Sequence, residues 1–133
     1  MSDLLTLEEY QAVAAELNPP AMSFVDGGFR PSVSGNTFET INPATGEVLA
    51  NVAACNAEDV DFAVAKAREA FEDGRWSKLH PGERKEVLIK LCKLVKRNSR
   101  ELAVLESLDS GKPIADCENI DIPEFIHTLT WHA

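Results

Sequence analysis

A chain of 133 residues has room for one ordinary domain, and its 44% hydrophobic and 26% charged residues are those of a globular protein. Its formal net charge of −9 argues against a surface that tracks nucleic-acid phosphates, because that affinity comes from Lys and Arg displacing counterions. The basic residues are dispersed apart from Lys90, Lys93, Lys96 and Arg97, whose spacing is that of a solvated helix edge. No stretch is apolar enough to span a bilayer, and Met1–Leu5 lacks the basic start and long apolar run of a signal peptide. Three cysteines, odd in number and far apart, fit reduced thiols better than a disulfide framework, so the expected compartment is the cytoplasm.

In chain order, Thr6 followed three residues later by Glu9 is a capping box, and it predicts a helix over about 7–17 that Pro19-Pro20 ends. This helix reads as an arm lying on the body of the protein. Met22–Val25, Asp26-Gly27-Gly28 and Phe29-Arg30 read as a hairpin. Thr37–Ile41 alternates as a strand, Asn42–Gly46 is a turn, and Glu47–Ala53 is the returning strand. Asn56 with Asp59 marks the next helix start. Behind it Val60, Ala63, Val64, Ala67 and Phe71 recur at the spacing of one helical face, and Gly74 ends the helix. A third helix over 81–97 is expected to bury Val87, Leu88, Leu91, Leu94 and Val95. Asn98–Glu101 offers a cap for a fourth carrying Leu102, Leu105 and Leu108, which Gly111 and Pro113 end. A last helix from about Ile122 carries Phe125, Ile126 and Leu129 and reaches Ala133 without a glycine, asparagine or basic stop, which reads as truncation. The fold class is therefore α+β: an N-terminal helical arm (1–20), a β-hairpin and meander (21–55) and a segment of four helices (56–133).

The residues that carry chemistry are sparse. Cys92 lies on an apolar helix face and reads as core; Cys55 reads as a buried spectator; Cys117 stands between Asp116 and Glu118, whose charge raises a thiol pKa. His127 and His132 are five apart and off a common helical face, so with His80 they read as surface or partly buried residues rather than ligands. The seven glycines form no G-x-G-x-x-G or P-loop. Asp109 with Asp116, and Glu118 with Asp121, read as solvated acidic surface rather than acid–base pairs.

Five segments in order resemble the N-terminal region of the aldehyde dehydrogenase superfamily. They are Phe38–Val48 with its N-P-A-T-G-E turn, Ala57–Phe71, Trp76, Leu105–Pro113 with L-D-S-G-K-P, and Ile120–Pro123 with Trp131–Ala133. The resemblance implies part of a Rossmann-like cofactor-binding domain, and a parent enzyme that uses NAD or NADP to oxidise an aldehyde through a cysteine thiohemiacetal. It also implies a homo-oligomeric parent. The family's nucleophile, its glutamate, its oxyanion asparagine and its main nucleotide contacts lie downstream of the region resembled, so no catalytic or cofactor-binding residue maps here. The family's sodium or potassium site does map, onto Thr40, Ile41 and Asp109, whose oxygens suit a hard cation; the same residues also read as ordinary strand and helix-end positions. L-D-S-G-K-P-I with I-D-I-P is similar to bacterial enzymes acting on γ-glutamyl-γ-aminobutyraldehyde or 4-guanidinobutyraldehyde in polyamine breakdown. The competing reading is a non-catalytic helical interaction module descended from that family.

Overall fold

The computed structural model describes residues 4–133; the first three residues of the N-terminal arm lie outside it. The chain forms α1 (Leu7–Glu16), β1 (Ser23–Val25), β2 (Gly28–Arg30), β3 (Thr37–Ile41), β4 (Val48–Ala53), α2 (Ala57–Asp73), α3 (Pro81–Arg97), α4 (Ser99–Ser110), α5 (Ile114–Asp116), a π-helical segment (Cys117–Asp121) and α6 (Ile122–His132). Two compact units share these elements. One holds α1, the turn Asn42–Glu47 and α3 to α6; the other holds the four strands and α2. The mixed helix-and-strand class read from the sequence is what the chain forms.

In the strand-bearing unit, β1 and β2 pair antiparallel with Val25 opposite Gly28. The two residues between them, Asp26 and Gly27, have φ of 54° and 77°, the left-handed pair that matches the twist of a two-residue hairpin. β3 and β4 form a second antiparallel pair, with an irregularity at Thr40/Ile41 because Thr40 faces Ala50 and Ile41 faces Val48, so Leu49 is the extra residue. The meander expected from the pattern is thus two separate hairpins.

Helix α2 starts on a reciprocal cap. Asn56 Oδ1 accepts from the Glu58 and Asp59 N–H groups at 2.9 and 3.1 Å, and Asp59 Oδ2 accepts from Asn56 N–H at 2.9 Å. The same Asp59 carboxylate reaches outside its helix to the Val33 N–H at 2.9 Å and the Ser32 hydroxyl at 3.0 Å. One turn on, Arg30 stacks over the Phe62 ring at 4.8 Å, and one further turn on Lys66 lies 3.7 Å from Asp26. Residues 59, 62 and 66 therefore form the face that holds the β1–β2 hairpin and the loop after it. That is a different face from the one the apolar spacing selected. Val60, Val64 and Phe71 are exposed at 55, 61 and 62%, so the apolar face marked by the spacing is left uncovered within this chain.

The N–H of Asn56 above all, then that of Val33, holds the Asp59 carboxyl below its usual range. A depressed folded pKa contributes stability above the unfolded value and loses it as pH falls through the folded one. Asp59→Asn is accordingly expected to flatten the loss of stability below about pH 4, read from thermal melts across an acid series. An unchanged acid limb would show that the Asp59 anchor contributes nothing.

In the helical unit, α3 turns Cys92 and Val95 inward, each 7% exposed. The Thr130 hydroxyl of α6 donates to the Ile126 carbonyl at 2.7 Å and lies 3.6 Å from the Cys92 sulfur. Val87, Leu91 and Leu94, expected in the core, are 47, 43 and 46% exposed, on a stripe of α3 beside the inward one. Asn98 also departs from expectation. It makes no side-chain cap for α4, and its Nδ2 instead donates back to the Leu94 carbonyl at 2.8 Å, serving the end of α3. Helix α4 buries Ala103 and Val104 rather than the three leucines of the pattern, which are half-buried.

The core cluster here is Ala103, Cys117 and Ile122, with Leu102, Ile114 and Ile126 partly buried against it. Residues 117 and 122 are five apart, about 140° around an α-helix. The intervening π turn, closed by Ile122 N–H on the Cys117 carbonyl, brings them to one side. Pro123, in the first turn of α6, has no N–H to give to the preceding turn, which is where a regular α-helical ladder would need one.

Candidate functional site

The turn Asn42–Glu47 is built by its own side chains. Asn42, 8% exposed, accepts the Ala44 N–H on Oδ1 at 2.9 Å, and its backbone N–H reaches the Glu47 carbonyl at 2.9 Å. The Thr45 hydroxyl is 3.3 Å from Glu47 Oε2 and accepts the Glu47 N–H at 3.2 Å. Pro43 projects from this turn onto Gly111 at the end of α4, so close that a Cβ on Gly111 would lie 2.7 Å from Pro43 Cγ. Two of the segments singled out in the sequence, N-P-A-T-G-E and L-D-S-G-K-P, are therefore in contact.

After Gly111 the chain is held by Ser107, whose hydroxyl donates to the Lys112 carbonyl at 2.7 Å, and by Ser110, whose hydroxyl donates to the Glu106 carbonyl at 2.6 Å and accepts the Lys112 N–H at 3.3 Å. Lys112 Nζ bonds Asp121 Oδ2 at 2.7 Å and lies 4.0 Å from Glu106. The Asp121 hydrogen bond leads the causes that raise the lysine's pKa.

Of the cation candidates, Thr40 is half-buried and Ile41 exposed, side by side at the irregularity of β3, and Asp109 is exposed in the last turn of α4. The first two belong to the strand-bearing unit and Asp109 to the helical one. Their oxygens, backbone carbonyls and a carboxylate, are of the kind that hard cations take.

The thiols divide differently from expectation. Cys92 is core as read, but Cys55 is exposed rather than a buried spectator. Cys117 is fully buried, and burial first, then the charges of Asp121 and Glu106, raises its thiol pKa; the anionic neighbours read from the sequence were instead Asp116 and Glu118. A buried thiol pushed up is a poor nucleophile. His80, His127 and His132 are exposed, and among the described residues no cluster of three His, Cys, Asp or Glu side chains could hold a metal. No helix of the described residues is long and apolar enough to cross a membrane.

One acidic residue departs from the solvated reading. The Glu118 side chain is 4% exposed, with Oε1 3.5 Å from Arg100 Nε. No periodicity marks Glu118 as inward, because the π turn that swings it there is not written as a repeat.

The profile of the aldehyde dehydrogenase family matches residues 29–133. The chain belongs to the aldehyde dehydrogenase family. It is 59% identical over all 133 residues to the aminoacetaldehyde dehydrogenase of Pseudomonas aeruginosa, of which it covers 27%. It superposes with a TM-score of 0.93 on the γ-glutamyl-γ-aminobutyraldehyde dehydrogenase of Burkholderia cenocepacia, at 42% identity, covering 96% of this chain and 26% of that one. The P. syringae indole-3-acetaldehyde dehydrogenase solved in complex with NAD+ gives the same TM-score, 0.93, at 41% identity over 96% of this chain and 26% of that one. The chain thus spans about a quarter of the length of the aldehyde dehydrogenases it matches. The fold is correspondingly a partial aldehyde dehydrogenase fold. The family's nucleotide needs a cradle for its phosphates, and no G-x-G-x-x-G or P-loop stands in these 133 residues.

Proposed function

We propose that this chain is the N-terminal portion of an NAD(P)-dependent aldehyde dehydrogenase that oxidises an aldehyde to its carboxylate, and that these 133 residues alone do not turn over. The observation that carries the reading is the pair of apolar stripes left uncovered. They are Val60, Val64 and Phe71 on α2, and Val87, Leu91 and Leu94 on α3, each between 43 and 62% exposed. Two helices of a soluble fold do not both present such stripes to water unless other surfaces meet them. The family's nucleophile, hydrolytic glutamate and oxyanion asparagine have no counterpart in this chain, and neither buried thiol is placed to attack a carbonyl. An ω-amino or γ-glutamylamino aldehyde is the proposed substrate class. The aminoacetaldehyde and γ-glutamyl-γ-aminobutyraldehyde enzymes among the relatives support it. Thr40, Ile41 and Asp109 are proposed to contribute oxygens to a sodium or potassium ion. The parent is proposed to be a cytoplasmic homo-oligomer working in polyamine catabolism.

Incubating the pure chain with NAD or NADP and an aldehyde panel should give no rise in NADH absorbance. The same preparation should bind an apolar-surface dye strongly. Turnover by the 133-residue chain would overturn the proposal of inactivity. A compact chain that melts cooperatively and leaves the dye unbound would favour the non-catalytic interaction module instead.

A further inference from the structure

Residues 21–36 leave the strand-bearing unit and return to it at one place. Ala53 N–H donates to the Ala21 carbonyl at 2.8 Å and Ala54 N–H to the Asn36 carbonyl at 2.9 Å, so both ends of the excursion are pinned to adjacent residues where β4 finishes. Between those ends lie β1, β2 and the loop that follows, and no ladder joins them to β3 and β4. The two strands have three residues each, and a lone two-stranded hairpin is at best marginal in water. Its cross-strand pair, Phe24 and Phe29, meets edge to face at 5.1 Å between ring centroids, yet the two side chains are 63 and 52% exposed. Ser32 alone is buried among residues 21–36. Apolar burial is therefore a weak hold on this excursion.

What seats it on α2 is a row of polar contacts about one helical turn apart. Asp59 takes the Val33 N–H at 2.9 Å and the Ser32 hydroxyl at 3.0 Å, the Arg30 guanidinium lies 4.8 Å from the centre of the Phe62 ring, and Lys66 lies 3.7 Å from Asp26. Hydrogen bonds to an ionised carboxylate outweigh an exposed cation over a ring or an exposed ion pair, so the loop end is held harder than the hairpin tip. We infer that residues 21–36 form a flap, hinged where Ala53 and Ala54 pin its ends, that lifts from α2 as a unit while α2 and the β3–β4 hairpin stay folded. Lifting bares the Phe62 ring and the outer side of the Asp59 carboxylate. The start of α2 survives it, because Asn56 and Asp59 cap each other without any group from the flap. Local opening of this kind is set by the few contacts that must break.

Hydrogen exchange on the full chain, resolved to single amides, tests this. Val33 N–H, bonded to Asp59, and Gly35 N–H, bonded to the Ser32 carbonyl at 2.9 Å, should exchange well ahead of the α2 amides. Ala53 and Ala54 should stay protected with β4. Ser32→Ala takes away the hydroxyl that reaches Asp59 and should speed Val33 by about 10- to 100-fold. Arg30→Met keeps a stem over Phe62 and loses the charge, and it should speed the same amide by about 2- to 5-fold. The Arg30 side chain stacks on Phe62, a turn away from Asp59, so a faster Val33 in that variant reports the flap moving as one body. Neither change should move α2 or β3. Equal protection of Val33 and α2 in the native chain would overturn the flap. So would Ala53 or Ala54 speeding with Val33, α2 speeding in either variant, or a Val33 rate unmoved by Arg30→Met.

Discussion

Replacing Gly111 by alanine is expected to destabilise the chain by about 2–4 kcal/mol, against about 1–2 kcal/mol for the same change at Gly46. Both glycines are left-handed, with φ of 74° and 76°, so both substitutions place a Cβ against its own carbonyl. They differ in what that Cβ meets. At Gly46 there is nothing within 4 Å, whereas at Gly111 it meets Pro43 Cγ at 2.7 Å and Pro43 Cβ at 3.5 Å. A pyrrolidine ring cannot swing aside as a lysine tail can, so either the Asn42–Glu47 turn or the end of α4 must move. The turn has little room to do so, because Asn42 is buried and its amide and side chain are committed to Glu47 and Ala44. Urea denaturation of the two variants beside the parent chain measures the difference. Equal losses at the two glycines would mean that the contact between the two motif segments carries no energy.

This contact also explains why those two segments were legible as motifs while their neighbours were not. A turn written N-P-A-T-G-E and a helix end written L-D-S-G-K-P are fixed by local chemistry: an Asn side chain that mimics backbone, a proline, a left-handed glycine. Such rules leave marks on specific residues, and the capping boxes at Thr6–Glu9 and Asn56–Asp59 formed as read for the same reason. The bounds of α3, Pro81–Arg97, also followed from local signals. What periodicity could not decide was which side of a helix faces its own chain. α2 carries Val60, Val64 and Phe71 on one side, but the face that docks is set by Asp59, Phe62 and Lys66, a carboxylate, a ring under a guanidinium and an ammonium. The apolar spacing was real, and its burial is not supplied by the residues of this chain. Cation candidates Thr40, Ile41 and Asp109 came from resemblance, because no single-chain pattern links a strand to the last turn of a distant helix.

The stretch 114–121 shows a different failure of pattern. With Gly111 and Pro113 behind it and Pro123 ahead, it reads as a connection; it is instead a helical turn running into a π segment. The π turn shifts the inward side by one residue, and that shift decides which apolar residues of α6 are core. The sequence grouped Phe125 with Ile126 and Leu129. In the fold Ile122 is 9% exposed against Ala103 and Cys117, Ile126 lies beside them, and Phe125 is 48% exposed. Ile122→Ala should therefore cost about 2–5 kcal/mol, a large aliphatic side chain lost from a cluster too tight to collapse. Phe125→Ala should change stability by only about 0.5 kcal/mol and should lower the binding of an apolar-surface dye. Hydrophobic bulk alone ranks the two the other way round, since a buried phenylalanine is worth at least as much as a buried isoleucine. The denaturation midpoints of these two variants decide between a regular helix through Cys117–Asp121 and the π turn: if Phe125→Ala is the more damaging, Phe125 faces the core and the π turn is absent.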